Sequence, residues 1–188
     1  MKAVAEMSRL EFAAFIATGL RKRKIDVVLS GGSCVSIYSR DRYVSMDLDL
    51  VNARFVSRSE IKVVMERLGF TEENRYFRHT DNALMVEFPP GPLGVGDEPV
   101  KQIDEITTAT GVLRIISPTD CVKDRLTWYY HEHDTECLEQ AILVADNNDI
   151  DLAEVERWSD GEGKRDVFLS IKPKLKTVTR GQVRGHER

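Results

Sequence analysis

Cysteine is scarce in this chain, and its pattern is not one of pairs. Cys34, Cys121 and Cys137 are spread through 188 residues with no CxxC among them. A disulfide framework is not expected; free thiols fit a reducing compartment, and so the cytoplasm. No apolar run approaches the ~20 residues a membrane-spanning helix needs, and no signal-type hydrophobic stretch opens the chain. No membrane partner is expected. Gly31-Gly32 is not followed by the lysine of a P-loop, and no third glycine completes a dinucleotide fingerprint. HExxH is missing as well. His131-Glu132-His133-Asp134 and Cys137 are metal-ligating residue types, but residues two apart on a helix point to different sides. A polar helix end is preferred to a zinc site there.

What is present is ordinary for a globular protein: 41% hydrophobic and 31% charged residues, enough for one domain with a small helical appendage. The net charge of −4 is unevenly spread: from Lys164 onward eight Lys or Arg stand against two acids, giving +6 there and −10 elsewhere. Such a basic end can contact RNA or an acidic partner, or simply be a solvated, disordered tail.

The densest chemistry lies in Leu29-Ser30-Gly31-Gly32-Ser33 and, after a thirteen-residue spacer, Asp47-Leu48-Asp49. On a strand, alternate side chains share a face, so Asp47 and Asp49 project together while Leu48 and Leu50 turn into the core. Paired carboxylates repel unless a cation or proton lies between them, and aspartate is costly to bury. Hard oxygen ligands suit Mg²⁺, which completes its shell with water and substrate phosphates. The glycines let backbone N–H groups approach an anion, and Ser33 opens a helix whose N-terminus favours phosphate.

The remaining pattern reads as alternating helices and strands. Helical spacing runs from Ser8 to Arg23, a buried strand from Asp26 to Leu29, a helix from Ser33 to Arg40 and the acidic strand from Met46 to Val51. Ser57 and Glu60 form a capping box for a helix ending at Leu68, with Gly69 as its stop. Tyr76–His79 and Ala83–Phe88 pair as a hairpin, placing Glu87 on an otherwise apolar strand. Glu87 is the best candidate for a third carboxylate; a solvent-facing position or an ion pair with Arg75 or Arg78 is the alternative. Pro89 to Gly96 is a loop by composition. A second hairpin, Gln102–Thr108 with Val112–Ile116, leads into a helix starting at Ser117-Pro118. Helices follow over Asp134–Ala145 and Leu152–Trp158, and Trp128, Tyr129 and Tyr130 are assigned to core rather than to base stacking.

Gly31-Gly32-Ser33, the spacer and Asp47-Leu48-Asp49 resemble the signature of the polymerase-beta-like nucleotidyltransferase superfamily. The likeness is greatest to small prokaryotic members, including toxins of toxin–antitoxin and abortive-infection systems. The motif covers about a seventh of the chain. In that family a third acid, commonly aspartate, sits on a later strand; Glu87 departs from this. A second point of resemblance is Ser117 to Leu126, where the family has a helix bearing a basic residue near the phosphates. The resemblance implies an α/β (α+β) fold, a short mixed sheet of nucleotidyltransferase type flanked by helices with a helical C-terminal part. The expected division is a core over 1–116, a helical part over 117–172 and a basic, flexible tail over 173–188. It further implies a Mg²⁺-dependent transferase (Mn²⁺ as substitute) moving an NMP from an NTP to an RNA (tRNA) or protein acceptor. Asp47, Asp49 and Glu87 are then the metal-binding and catalytic residues. Gly31, Gly32, Ser33 and Lys123, with Arg125 as a weaker second, hold the nucleotide. A cognate antitoxin is the implied partner. The competing reading keeps the fold as an inactive nucleotide-binding or protein-interaction module, and a third makes the chain a nucleic-acid-binding regulator.

Overall fold

Val27–Ser30 (β1) and Asp47–Asn52 (β2) form the antiparallel centre of the protein, with Leu29 opposite Leu50 and Ser30 opposite Asp49. The computed structural model describes residues 2–52 and 56–176. Around β1 and β2 a seven-stranded mixed sheet is completed by Phe70–Glu73 (β3), Tyr76–His79 (β4), Asn82–Glu87 (β5), Ile103–Thr108 (β8) and Gly111–Ile116 (β9). The strand order is β3-β4-β5-β2-β1-β9-β8. Two contacts are parallel, β2 with β5 and β1 with β9; the hairpin contacts are antiparallel. Parallel neighbours require a crossover, and here each crossover is long enough to bring a helix onto the sheet.

The helices start where local chemistry allows. Ser8 caps Arg9–Arg21 (α1) and Ser57 caps Arg58–Arg67 (α3), each in a reciprocal capping box with the glutamate three residues on. Gly32–Tyr38 (α2) follows the glycine turn. Ser117 caps Pro118–Glu132 (α4), with proline at the first turn where its missing N–H costs nothing. Asp134 and Asp151 cap Thr135–Asn147 (α5) and Leu152–Gly161 (α6), and Arg165–Leu175 (α7) closes the described chain. Helix α1 packs on β1, β8 and β9 and against α3, whereas α2 packs on β1 and β2 and against α4 and α5.

The core is continuous from the sheet into the C-terminal helices: Leu29, Leu48, Leu50, Leu113 and Ile115 join Phe12, Leu126, Trp158 and Phe168, all fully buried. At about 1.5–3 kcal/mol for each large apolar side chain, this shared core binds the helical part to the sheet. Trp158 stacks on Tyr130, and its indole N–H donates to the Val95 carbonyl.

The hairpins expected from the sequence are present, and the differences are local. Strand β3 adds a third strand to the β4–β5 hairpin; its sequence, Phe-Thr-Glu-Glu, carries a single buried residue, Phe70, and so little strand signal. Gly94–Val95 (β6) and Glu98–Pro99 (β7) form a two-residue pair inside the stretch read as loop. Trp128 is 51% exposed rather than core, in contrast to Tyr130 two residues on. His133 adopts the left-handed conformation that ends α4, and His131 lies 3.4 Å from Glu162. Of the basic tail, residues 177–188 fall outside the described residues. Among the described residues no helix is long and apolar enough to cross a membrane.

Candidate active site

The glycine turn and the acidic strand meet because β1 and β2 are hydrogen-bonded neighbours. Gly31, immediately after β1, has φ 70° and ψ −158°, a region open essentially to glycine alone. A Cβ there would lie 2.1 Å from Asp49 Oδ2, so the bare backbone permits the carboxylate to lie against the turn. The Ser33 hydroxyl donates a short hydrogen bond to the Asp47 carbonyl, tying the start of α2 to the start of β2. Ser45 Oγ donates to Asp47 Oδ1 at 2.5 Å and fixes that carboxylate's orientation.

The third carboxylate arrives from the opposite flank. In the parallel pairing of β2 with β5, Asp49 is directly opposite Glu87 and Asp47 opposite Met85. Neighbouring strands lie about 4.8 Å apart, so the Asp49 and Glu87 backbones are as close as a sheet allows. Asp47 and Asp49 are half-buried and alternate with fully buried Leu48 and Leu50, which puts both carboxylates on the face away from the leucines. Crowding has an electrostatic result. Burial, then the charges of Asp47 and Glu87, push the Asp49 carboxyl up to about 7. A carboxylate so perturbed by partial desolvation and like charge is a mark of functional sites.

Among the described residues, no three or more His, Cys, Asp or Glu side chains are gathered closely enough to enclose a cation unaided. Mg²⁺ does not ask for such a cage: one or two carboxylates suffice, with water and substrate phosphates in the remaining positions. Asp47 and Asp49 fit that demand by donor type and charge. Glu87 also has a second partner, since Arg75 Nε lies 3.5 Å from its Oε1 in a pair that is largely open on the Arg75 side.

The two basic residues expected near the phosphates part company. Lys123 is fully buried and does not reach this site. Its ammonium lies 2.8 Å from Asp120 and 3.3 Å from Glu154, above the Trp158 ring, and joins α4 to α6. Asp120 in turn accepts the backbone N–H groups of Lys101 and Gln102. Lys123 is thus an internal tie, contrary to its assignment as a nucleotide contact. Arg125, two residues on, projects from another side of α4, and its charge is felt at Asp49 together with that of Asp124. Burial pulls the guanidinium's pKa down, yet Asp124 at 2.6 Å more than offsets this and holds it above the ordinary value; Gln140 accepts a further hydrogen bond.

One further basic group went unnoticed in the sequence. Arg9, the first residue of α1, reaches back so that Nη1 donates to Ser33 Oγ at 3.1 Å. A basic residue in a helix first turn opposes the macrodipole, and that mismatch beside a capping box is the signal by which it could have been found.

No family model matches the sequence, and no curated protein is similar to it. Solved structures are similar. An antigenic nucleotidyltransferase-like protein from Paracoccidioides brasiliensis superposes with a TM-score of 0.55 at 15% identity, covering 90% of this chain and 93% of that one. The antibiotic-resistance factor ANT(2'')-Ia gives a TM-score of 0.47 in its solution structure, at 18% identity over 86% of this chain and 91% of that one. Its complex with adenylyl-2"-tobramycin gives 0.48, at 18% identity over 84% and 94%. The seven-stranded mixed sheet with its flanking helices is a nucleotidyltransferase fold.

Proposed function

We propose that the protein is a Mg²⁺-dependent nucleotidyltransferase that moves an NMP from an NTP to an acceptor and releases pyrophosphate. The observation that carries this reading is the placement of Asp49 directly opposite Glu87 on parallel neighbours, with Asp47 two residues away on the same face and Gly31 against Asp49. Three acids brought together from two neighbouring strands do not serve the core, and they depress stability unless a cation joins them.

Asp47 and Asp49 would hold Mg²⁺ in this scheme, with Mn²⁺ as a substitute, and the bound cation would offset triphosphate charge and polarise the reacting phosphorus. Gly31, Gly32 and Ser33 cradle the β- and γ-phosphates. The acceptor oxygen bonds to the α-phosphorus, the bond from that phosphorus to the bridging oxygen breaks, and pyrophosphate leaves with that oxygen. Glu87 takes the acceptor's proton. Arg125 supplies positive charge at the carboxylate face, offsetting the charge that develops on the leaving group.

The acceptor is an RNA, tRNA above all, or a protein side chain, as in the toxin-type enzymes the motif resembles, and a cognate antitoxin follows from the same resemblance. The ion pair of Glu87 with Arg75 favours one competing reading, a non-catalytic nucleotide-binding module in which the third acid is occupied. Incubation with α-phosphate-labelled NTPs, Mg²⁺ and total tRNA or lysate tests both. Label transferred by wild type and lost in Asp49→Asn supports the enzyme. Mg²⁺-dependent NTP binding without transfer supports the module, and absence of both refutes the nucleotide site.

A further inference from the structure

Arg9 combines three features that its place in the fold does not require. Its side chain is nine-tenths buried, yet Nε makes no hydrogen bond among the described residues. Its Nη1 is bonded to Ser33, the residue that ties the glycine turn to the acidic strand. Its nearest countercharge, Asp41, is 3.6 Å away, 69% exposed, and follows Arg40 in a run of two left-handed non-glycine residues. A buried guanidinium N–H without an acceptor is unfavourable, and an exposed carboxylate beyond hydrogen-bond distance answers it only in part.

We infer that Arg9 binds the polyphosphate tail of the nucleoside triphosphate, at the β- and γ-phosphates beside Gly31-Gly32-Ser33. This deepens the nucleotidyl-transfer reading and rests on it. The guanidinium is always charged and offers five donors in a fixed fork, which suits it to phosphate oxygens. The link through Ser33 puts it one side chain from the strand bearing Asp47 and Asp49. Asp41 is the resting countercharge that the phosphates replace. Because the contact is to the tail, Arg9 selects a triphosphate over a monophosphate and leaves the base unread.

The test is calorimetric titration of the full chain with Mg²⁺ and either a non-hydrolysable α,β-methylene NTP or the corresponding NMP. In Arg9→Gln, affinity for the triphosphate analogue should fall about tenfold to a hundredfold, with NMP affinity held within about twofold. Asp41→Asn should tighten the triphosphate analogue about two- to fivefold, because it removes the competitor for Arg9. That gain is not expected of a purely structural ion pair, and Asp41→Asn decides the matter alone if Arg9→Gln fails to fold. Equal triphosphate affinity in wild type and Arg9→Gln overturns the assignment while leaving the transferase reading intact. Equal losses for triphosphate and monophosphate, or weaker binding by Asp41→Asn, overturn it too, since Arg9 then only supports the turn. No triphosphate binding by wild type overturns both readings together.

Discussion

Asp49→Asn should abolish transfer and, above neutral pH, make the protein more stable. The Asp49 carboxyl, ordinarily near 3.8, is pushed up to about 7 by burial and by the charges of Asp47 and Glu87. Between these values the folded chain holds a proton that the unfolded chain has released. Stability contributed by this group is therefore complete below about pH 4, falls as pH rises, and is fully lost above about pH 7. A displacement of about three pH units corresponds to an upper limit of about 4 kcal/mol. Asparagine is close in shape to the protonated acid and carries no such cost. Urea unfolding of wild type and variant should give similar free energies at pH 4. At pH 8 the variant should be the more stable by about 2–4 kcal/mol, or roughly 4–16 °C in melting temperature for a domain of this size. Comparing the two chains cancels the titrating groups that do not interact with Asp49, and leaves the mutual repulsion of Asp49 with Asp47 and Glu87 as part of the difference. Equal stability at both pH values would refute the claim that the three carboxylates are crowded on one face.

Mg²⁺ at a hundredfold its dissociation constant should raise wild-type stability at pH 8 by about 2.7 kcal/mol and Asp49→Asn by much less, as read by thermal melting. Gly31→Ala should cost about 1–3 kcal/mol in backbone strain, plus displacement of Asp49 Oδ2, which lies 2.1 Å from the added methyl. A melt of Gly31→Ala combined with Asp49→Ala should recover the clash but not the strain. Lys123→Met should destabilise by about 3–5 kcal/mol because it leaves buried Asp120 without its ammonium partner, while nucleotide affinity of the folded protein stays unchanged. A large loss of affinity at unchanged stability would restore Lys123 to the nucleotide site.

The elements were legible in the sequence because their signals are local. Ser57 and Glu60 announce the start of α3 by satisfying orphan N–H groups within one turn, and the alternation of Asp47, Leu48, Asp49 and Leu50 marks a strand with an acidic face. Where a segment's signal is weak, as in β3 with one buried residue or the two-residue β6 and β7, pairing partners distant in sequence create the strand. Trp128 was misassigned because three consecutive aromatics on a helix cannot all face the core: Tyr130 turns inward and Trp128 outward.

The sequence by itself determined the residue types at the candidate site, namely the glycine turn, the two aspartates and a glutamate on a later strand. Only the tertiary structure decided that Glu87 stands opposite Asp49, that Lys123 is a tie between α4 and α6 while the charge of Arg125 is felt at Asp49, and that Arg9 lies against Ser33. The physical reason is the range of the forces. Capping and side-chain periodicity act within a turn or a strand and are written in adjacent residues. Strand order and the facing of one helix side over another are set by burying a common core, to which every element contributes at once.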